Sequence, residues 1–276
     1  MDIVILLLGV SILLVIVYMF VERGNKIVGE RKYIIAMFLT EKHSKEAENA
    51  IISLDRVGMK KNLVVTCLDR GSYEYMGRLG VERRLVDMEF AKEADFGTIE
   101  FYNIVIEKVR MIIHHLQTQT VPILYMDTDV VVLQNLDSDL NTYANGDLDI
   151  VFQCDDGTFL ENKCDMYCTG FMFIKNNDKT RKCFQRSLEI MLENKKNRPK
   201  KNGAGADQPA INHALTYQPD IRVGAFNSMM YANGWRYFDN HNVYKEITPK
   251  IVHNNWIRGL DNKIARFKKY GLWFAG

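Results

Sequence analysis

Apolar residues recur along the chain with two different periods, and the switch between them repeats several times. Short apolar runs rich in β-branched residues are typical of buried strands, whereas apolar residues three and four positions apart indicate helices. Strands are predicted at 33–38, 62–68, 84–88, 149–154 and 169–176, and helices at 43–59, 73–79, 99–117 and 178–195. Strands that alternate with helices predict an α/β fold with a mostly parallel sheet and helices on its faces.

The central apolar run, residues 121–133, contains two carboxylates, Asp127 and Asp129, with one residue between them. The run opens with a proline and has the composition of a buried strand. Side chains two positions apart lie on the same face of a strand. We therefore expect both acids to point the same way from the strand end, where open α/β sheets hold their ligands.

A divalent metal ion explains this pair of acids best. Two neighbouring carboxylates repel each other unless a cation or a proton lies between them. Hard carboxylate oxygens suit Mn²⁺, Mg²⁺ or Ca²⁺. The alternative is a solvated turn at the strand end, where Asp and Thr are common. The apolar residues on both sides of the pair favour the metal, because an ordinary surface turn would not need them.

Other acids lie at the ends of predicted elements. Asp155 and Asp156 follow the strand at 149–154, and they either face the same cleft or form a plain Asp-Gly turn. Asp207 opens a predicted helix with Pro209 just inside it, so helix capping alone accounts for that carboxylate. Further strands are predicted at 221–226, 229–238 and 247–255, and a last helix at 260–270.

The N-terminus differs in composition from the rest of the chain. Residues 3–21 are almost wholly apolar, and a helix of this length, at ~1.5 Å rise per residue, matches the thickness of a bilayer core. We expect a transmembrane anchor over 1–21, a short stalk over 22–31 and one domain over 32–276. A cleaved signal peptide is the alternative, but no basic segment precedes the apolar run and no small-residue cleavage site follows it.

The charges next to the anchor favour one orientation in the membrane. Arg23, Lys26, Arg31 and Lys32 all follow the anchor, and the positive-inside rule then places the domain in the cytosol. The absence of any Asn-x-Ser/Thr glycosylation acceptor agrees with that side. Long domains can cross a membrane regardless of such charges, so the rule does not decide the orientation.

Overall charge and cysteine content exclude several classes of protein. The 276-residue chain has a formal charge of +2, which gives no electrostatic argument for binding nucleic acid. Its five cysteines are too few and too irregular for a disulfide framework. Cys164 and Cys168 are four residues apart, but no second pair follows at zinc-site spacing, so a structural zinc is not expected.

Four motifs in a fixed order carry a family resemblance. They are Asp127-Thr128-Asp129, Thr169-Gly170-Phe171-Met172, Asp207-Gln208-Pro209-Ala210-Ile211-Asn212, and His253-Asn254-Asn255-Trp256-Ile257-Arg258-Gly259 followed by Lys263. Together they resemble the nucleotide-diphospho-sugar transferase family, which includes plant cell-wall xylosyltransferases and is related to glycogenin-like enzymes. The resemblance runs over nearly all of the chain after the anchor. It implies a GT-A fold, a Rossmann-like domain that binds a sugar nucleotide at its strand ends.

The resemblance also implies roles for particular residues. The ligands of Mn²⁺ or Mg²⁺ would be Asp127, Asp129 and His253. Catalytic groups near the transferred sugar would be Asp207, Gln208 and Asp156. Contacts to the nucleotide and its diphosphate would come from Phe38, Thr40, Lys108, Thr128, Gly259 and Lys263. Contacts to the donor sugar or the acceptor would come from Asp155 and Gly170.

The activity implied by the resemblance is metal-dependent transfer of a sugar from a nucleotide sugar to a glycan or glycoprotein. The implied nucleotide is UDP, the implied stereochemistry is retention, and the implied membrane is of the Golgi or ER type. One departure from the family pattern is Cys168, which stands where an asparagine is usual. Another is the lack of the customary proline after the aspartate pair. The first departure bears on which donor sugar and acceptor are used.

Two other classes of function are compatible with the same residues. A phosphohydrolase of the haloacid dehalogenase type also has a strand that ends in Asp-x-Asp, but that motif normally opens the catalytic domain. Here several strands and helices precede it. A catalytically silent module that keeps the sugar-nucleotide fold would bind nucleotide and metal without turnover, and only an activity assay separates it from an enzyme.

Overall fold

The main sheet and its helices follow the alternation that the apolar pattern predicts. A computed structural model of the chain describes residues 31–88, 99–155, 164, 166–197 and 206–276. The strands are β1 Ile34–Leu39, β2 Leu63–Cys67, β3 Glu82–Leu85, β4 Ile123–Met126, β5 Val130–Val132, β6 Ile150–Cys154, β7 Tyr167–Ile174, β8 Val223–Ala225, β9 Tyr231–Ala232 and β10 Ile251–His253. The helices are α1 Ser44–Arg56, α2 Arg70–Arg78, α3 Ile99–Thr118, α4 Asp137–Asn145, α5 Asp178–Asn197, α6 Asp207–Leu215 and α7 Leu260–Lys269.

Seven of these strands form the main sheet, in the order β3-β2-β1-β4-β7-β6-β8. Strands β1 to β4 pair in parallel, and β8 is parallel to β6. Only β7 among these strands runs antiparallel to its neighbours, β4 and β6. The prediction of an α/β fold with a mostly parallel central sheet is therefore confirmed.

Both faces of the sheet are covered by helices, which is why its strands are apolar at consecutive positions. Along β1, Ile35 and Met37 belong to the core that α1 covers, whereas Ile34 and Ala36 belong to the core that α3, α5 and α6 cover. Full burial of a large apolar side chain contributes about 1.5–3 kcal/mol. The two cores therefore fix the strands in position, and the polar residues at the strand ends are positioned with them.

The apolar run at 121–133 is two strands rather than one, so that prediction is wrong. β4 belongs to the main sheet, whereas β5 belongs to a second sheet of order β5-β10-β9. Between them the chain turns at Asp127–Asp129. The Asp127 N–H donates to the carbonyl oxygen of Gly170 at 2.8 Å, and the Val130 N–H donates to the Asp127 carbonyl oxygen at 3.3 Å. The acids thus lie where the chain passes from one sheet to the other.

A second prediction is wrong in the region 229–238. The strand there is only two residues long, β9, and a short π-helix follows at Trp235–Asp239. The buried side chain of Asn233 binds the carbonyl oxygen of Cys154, and a Cβ at Gly234 would lie 2.0 Å from the carbonyl oxygen of Asn255. The chain is therefore held against two other segments at this point and leaves the sheet.

Residues Tyr33–Gly276 form one compact unit. The predicted anchor, residues 1–21, and the predicted stalk, residues 22–31, lie outside the described residues except for Arg31. Within the described part of the chain, no helix combines the length and the apolar character that a membrane span requires.

Candidate active site

Three side chains from two parts of the sequence meet at the turn between β4 and β5. Asp127 and Asp129 belong to the turn, and His253 is the last residue of β10. β10 pairs antiparallel with β5 so that His253 is opposite Val130, next to the acids. One ligand atom from each of the three side chains lies within 4.8 Å of the others. Two carboxylates and an imidazole at this separation can bind a single divalent cation.

The orientation of His253 leaves one ring nitrogen for such an ion. Its Nδ1 lies 2.6 Å from the side-chain oxygen of Gln153, and its Nε2 lies 3.2 Å from Asp129 Oδ1. A histidine that donates from one nitrogen to a fixed oxygen presents the lone pair of the other nitrogen to a metal. Burial disfavours the imidazolium form, but the adjacent Asp129 carboxylate outweighs burial and raises the pKa of His253 well above its ordinary value. A metal ion at Nε2 would replace the proton that this carboxylate favours.

A glycine provides the space between the acid and the imidazole. A Cβ at Gly170 would lie 2.3 Å from His253 Cε1 and 2.7 Å from Asp127 Oδ2. Any side chain at this position would therefore occupy the place where the two ligand groups face each other. The donor set and this space both fit a divalent ion of the Mn²⁺ or Mg²⁺ type.

Lys263 adds a positive charge at the same place. It lies on α7, and its Nζ is 2.6 Å from Asp129 Oδ2. Burial disfavours the charge of Asp129, but Lys263 and His253 outweigh burial and hold the pKa of that carboxyl well below its ordinary range. Asp129 is therefore ionised in the folded protein, and its ammonium partner is available to meet a second anion.

A buried ion pair lies beside Asp127, Asp129 and His253. Lys108 Nζ lies 2.7 Å from Asp207 Oδ2 and 3.5 Å from Asp127 Oδ1, and it also lies 4.4 Å from the centre of the Tyr125 ring. Thr169 Oγ1 donates to Asp207 Oδ2 at 2.7 Å. The carboxylate of Asp207 does not cap its own helix, because the N-cap is Ala206 and no side-chain cap is made. The interpretation of Asp207 as a helix cap is therefore wrong.

A hydrogen-bond chain continues from Asp207 to the edge of the cleft. The amide nitrogen of Gln208 donates to Asp155 Oδ2 at 2.9 Å. Asp155 Oδ1 accepts from the amide of Asn255 and from the indole N–H of Trp256, both at 2.9 Å. Asp155 thus faces the cleft. Asp156 lies outside the described residues.

The remaining predicted residues border the same cleft, which has a volume of about 800 Å³. Thr40 is buried at the end of β1, and Phe38 is half-buried with its ring 6.4 Å from the Tyr125 ring. Gly259 precedes α7 with a φ of 86°, a conformation that favours glycine. The predicted site residues that line this cleft are Phe38, Thr40, Lys108, Asp127, Thr128, Asp129, Asp155, Gly170, Asp207, Gln208, His253, Gly259 and Lys263.

Two polar residues of the site were not predicted from the sequence. Glu46 on α1 is 1% exposed; its Oε2 accepts from Thr128 Oγ1 at 2.9 Å, and its Oε1 has no hydrogen-bond partner among the described residues. Gln153 is fully buried in the apolar strand β6 and binds His253. A glutamine inside an otherwise apolar strand is a signal that could have been noticed, because buried polar groups need partners.

A disulfide that was not predicted from the sequence lies next to this cleft. It joins Cys154 at the end of β6 to Cys164. Cys168, which stands at the position where the family usually has asparagine, is a buried free thiol 3.7 Å from His253 Nδ1. The pair of Cys164 and Cys168 is thus no metal-binding pair.

The fold and the cleft define the class to which this protein belongs. The chain has the α/β fold of GT-A glycosyltransferases, with a polar cleft at the ends of parallel strands. A solved structure of the galactosyltransferase LgtC, in complex with donor and acceptor sugar analogues, has a similar fold, with a TM-score of 0.55 and 14% sequence identity. The match covers 87% of this chain and 94% of the LgtC chain. The sequence model of the nucleotide-diphospho-sugar transferase family matches residues 58–267, and the chain belongs to this family.

Two curated proteins are similar to this chain in sequence. A UDP-galactose:fucoside alpha-3-galactosyltransferase of Dictyostelium discoideum is 28% identical over 207 residues, which are 65% of this chain and 29% of the relative. A UDP-D-xylose:L-fucose alpha-1,3-D-xylosyltransferase of Arabidopsis thaliana is 26% identical over 196 residues, 65% of this chain and 52% of the relative. This chain therefore spans about half or less of the length of these relatives.

Proposed function

We propose that this protein is an enzyme that transfers a sugar from a UDP-sugar to a fucose residue of a glycan or glycoprotein. Membership of the nucleotide-diphospho-sugar transferase family supports the donor class. The two relatives differ in the sugar that their names give, galactose or xylose, but both names give UDP as the nucleotide, a fucoside or L-fucose as the acceptor, and an alpha-3 or alpha-1,3 linkage. What the relatives share is the part that we carry over to this chain.

The observation that carries this proposal is the meeting of Asp127, Asp129 and His253 within 4.8 Å at the edge of the sheet. These residues would hold Mn²⁺ or Mg²⁺. When bound there, such an ion acts as a Lewis acid on the diphosphate of the donor. The leaving group then needs no protonated side chain beside it.

The lysines of the cleft serve the negative charge that grows on the leaving diphosphate. Lys263 is held 2.6 Å from Asp129 and is 23% exposed, so its ammonium group can reach a phosphate oxygen from the protein side of the cleft. Charges that are already oriented in a partly closed cleft stabilise a transition state without reorganisation, and such stabilisation usually contributes more to catalysis than any other effect. Thr128, Thr40 and Phe38 border the part of the cleft that we assign to the nucleoside.

Asp207 and Gln208 are assigned to the sugar that is transferred. Burial disfavours the charge of Asp207, but Lys108 outweighs burial, so the pKa of this carboxyl is lowered and the group is ionised. A fixed carboxylate can stabilise an oxocarbenium-like centre at the anomeric carbon. Gln208 bridges Thr169 and Asp155 and orients an amide beside that carboxylate. Transfer with retention remains a proposal that rests on the family resemblance.

The side of the membrane is proposed from the disulfide. Disulfides persist in oxidising compartments and are rare in the cytosol. The bond between Cys154 and Cys164 therefore favours a lumenal domain, against the orientation that the charges after the anchor indicate. We propose that the protein is anchored in a Golgi- or ER-type membrane through residues 1–21, with the domain in the oxidising lumen.

A two-stage experiment tests the proposed function. The purified protein is first heated with a panel of nucleotide sugars with and without Mn²⁺, because a ligand that binds only the folded state raises the melting temperature. Donors that stabilise it are then incubated with methyl α-L-fucopyranoside. We expect stabilisation by a UDP-sugar only with metal, followed by transfer. Stabilisation without transfer to this acceptor would indicate a silent binding module. In a parallel incubation with a phosphomonoester, release of phosphate would indicate a phosphohydrolase.

A further inference from the structure

Trp256 has an unusual backbone conformation at the edge of the cleft. Its φ is 60°, in the left-handed region that bulky residues rarely adopt, and Asp87 is the only other non-glycine residue with positive φ among the described ones. Trp256 is 52% exposed. A strained residue persists only where its surroundings hold it, and such residues cluster at ligand-binding sites. The strain here presents a large aromatic ring to solvent instead of burying it.

The segment before Trp256 is fixed from several sides. The Asn254 N–H donates to the Asp129 carbonyl oxygen at 2.8 Å, and the Gly234 N–H donates to the side-chain oxygen of Asn255 at 2.6 Å. The indole N–H itself donates to Asp155 Oδ1 at 2.9 Å. The ring is therefore oriented at its polar edge, while about half of the residue's surface, 52%, remains exposed.

The hydrogen bonds place this ring near the groups that we assign to the transferred sugar. Asp155 binds the indole with one oxygen and Gln208 with the other, both at 2.9 Å. Gln208 in turn follows Asp207 directly. A ligand that lies on the indole is thus separated from Gln208 by a single carboxylate, at the opening of the cleft.

We propose that Trp256 is the platform on which the pyranose ring of the acceptor sugar lies. This inference rests on the proposed function and names the residue that binds its second substrate. One face of a pyranose ring consists of C–H groups, and a 6-deoxy sugar such as fucose adds a methyl group to its apolar surface. An indole offers a large, rigid apolar face at little cost in conformational entropy, and a hydrogen bond fixes its polar edge. Asp155, at that edge, can accept a hydrogen bond from a sugar hydroxyl.

Two substitutions distinguish the contribution of the indole ring from that of the left-handed backbone conformation. Trp256→Asn removes the ring, and asparagine tolerates the left-handed region better than other non-glycine residues. Trp256→Phe keeps an aromatic face but loses the N–H that binds Asp155. Tyr217→Asn is the matched control, because the Tyr217 ring is 53% exposed and does not line the cleft.

The steady-state kinetics use methyl α-L-fucopyranoside as the acceptor and the UDP-sugar that stabilises the protein as the donor. Loss of one aromatic contact of 1.5–3 kcal/mol corresponds to on the order of 10- to 100-fold. We expect Trp256→Asn to raise the acceptor KM by at least about 10-fold, with a much smaller change in the donor KM. Trp256→Phe should lie between the wild-type protein and Trp256→Asn, and Tyr217→Asn should match the wild-type protein.

Two binding measurements accompany the kinetics. Methyl α-L-fucopyranoside should change the tryptophan fluorescence of the wild-type protein and should not change that of Trp256→Phe. UDP with Mn²⁺ should still raise the melting temperature of both variants, which shows that they are folded. A structural role for Trp256 would lower that melting temperature without separating the two KM values.

Three results would overturn the platform. An acceptor KM that is unchanged in Trp256→Asn would show that the ring does not bind the acceptor. Equal rises in the donor and acceptor KM, or loss of the response to UDP, in a variant that melts at the wild-type temperature would assign the ring to the nucleotide instead. A wild-type protein that UDP-sugars do not stabilise and that transfers no sugar would overturn the proposed function itself, and the platform with it.

Discussion

Lys108 Nζ lies 2.7 Å from Asp207 Oδ2, and both side chains are buried. The family resemblance assigns Lys108 to the diphosphate and Asp207 to the sugar, without any relation between them. In the structure the lysine joins Asp207 to Asp127, so it links the proposed metal site to the proposed catalytic carboxylate. Burial opposes its charge, but the two carboxylates outweigh burial and raise the pKa of Lys108.

Substitution of Lys108 tests this link. Lys108→Met leaves Asp207 buried without its cationic partner, and the loss of one partner of a buried pair costs about 3–5 kcal/mol. We expect a fall of this size in the free energy of unfolding, measured by urea denaturation. The double substitution Lys108→Met with Asp207→Asn should regain most of the stability but not the transfer activity. Equal stability of the single variant and the wild-type protein would show that the pair is unimportant for folding.

Gly170 offers a test of the proposed metal site in which none of the ligand residues is substituted. Gly170→Ala adds a Cβ that would lie 2.3 Å from the imidazole of His253 and 2.7 Å from Asp127. We expect Mn²⁺ affinity, measured by titration calorimetry in the presence of UDP, to fall by about 10-fold or more.

The control for Gly170 is a glycine elsewhere in the fold. Gly71→Ala introduces a Cβ close to the carboxylate of Glu41, which is the free end of a flexible side chain and can move away. This variant should bind Mn²⁺ like the wild-type protein. If Gly170→Ala also does so, the metal does not lie between Asp127 and His253.

Substitution of each aspartate of the turn is expected to lower the stability of the protein by a different amount, although both residues should be essential for activity. Asp129 is buried and paired with Lys263 and His253, whereas the side chain of Asp127 is 32% exposed. Asp129→Asn leaves the buried His253 and the partly buried Lys263 without their anion and should lower the free energy of unfolding by a few kcal/mol. Asp127→Asn should lower it less. Full metal-dependent activity in either variant would reject the metal-site assignment.

His115 predicts how stability depends on pH. It is 5% exposed on α3, and neither of its ring nitrogens has a hydrogen-bond partner among the described residues. Burial, together with His114 and Arg84, lowers the pKa of His115 to about 4. Between pH 6.5 and 4 the unfolded chain therefore binds a proton that the folded protein does not. The free energy of unfolding should fall by up to about 3 kcal/mol as the pH falls through this window.

The measurement is a series of urea denaturations from pH 7 to pH 4 on the wild-type protein and on His115→Leu. The substitution removes the titrating group while keeping an apolar side chain in the core. The difference in stability between the two proteins should change across the window in favour of the variant. A constant difference would show that His115 does not contribute to the acid sensitivity.

The disulfide is tested by counting thiols. Of the five cysteines, Cys154 and Cys164 are bonded, which leaves Cys67, Cys168 and Cys183 free. A maleimide should label three thiols per chain in denaturant without reductant and five after reduction. The bond closes a short loop, so reduction should lower the free energy of unfolding by roughly 2–3 kcal/mol. Five labelled thiols before reduction would remove the support for a lumenal domain.

Much of the fold could be predicted because its signals are local. The period of the apolar residues distinguishes strands from helices, and the alternation of the two implies a parallel sheet. The acids at 127 and 129 are conspicuous in the sequence, because charged residues are rarely buried within an apolar run unless they have a partner. The order of the four motifs pointed to the family, and the family match over residues 58–267 confirms that assignment.

Local patterns failed where a residue is defined by its partners. The run at 121–133 is apolar throughout because β4 and β5 are both buried, so nothing in its composition shows that they belong to different sheets. From the sequence, Asp207 is explained as a helix cap, whereas the structure shows that its carboxylate pairs with Lys108 at 2.7 Å. Glu46 resembles any polar residue of an amphipathic helix, and only the structure shows that it faces Thr128.

The sequence by itself determined the elements, the class of fold and the residue types that the site would use. Only the tertiary structure brought His253 beside Asp129, across more than a hundred intervening residues, through the antiparallel pairing of β10 with β5. The same packing set the φ of Trp256 and closed the bond between Cys154 and Cys164. The physical reason is that side-chain periodicity reports the burial of each residue, whereas the choice of partner depends on the packing of the whole chain.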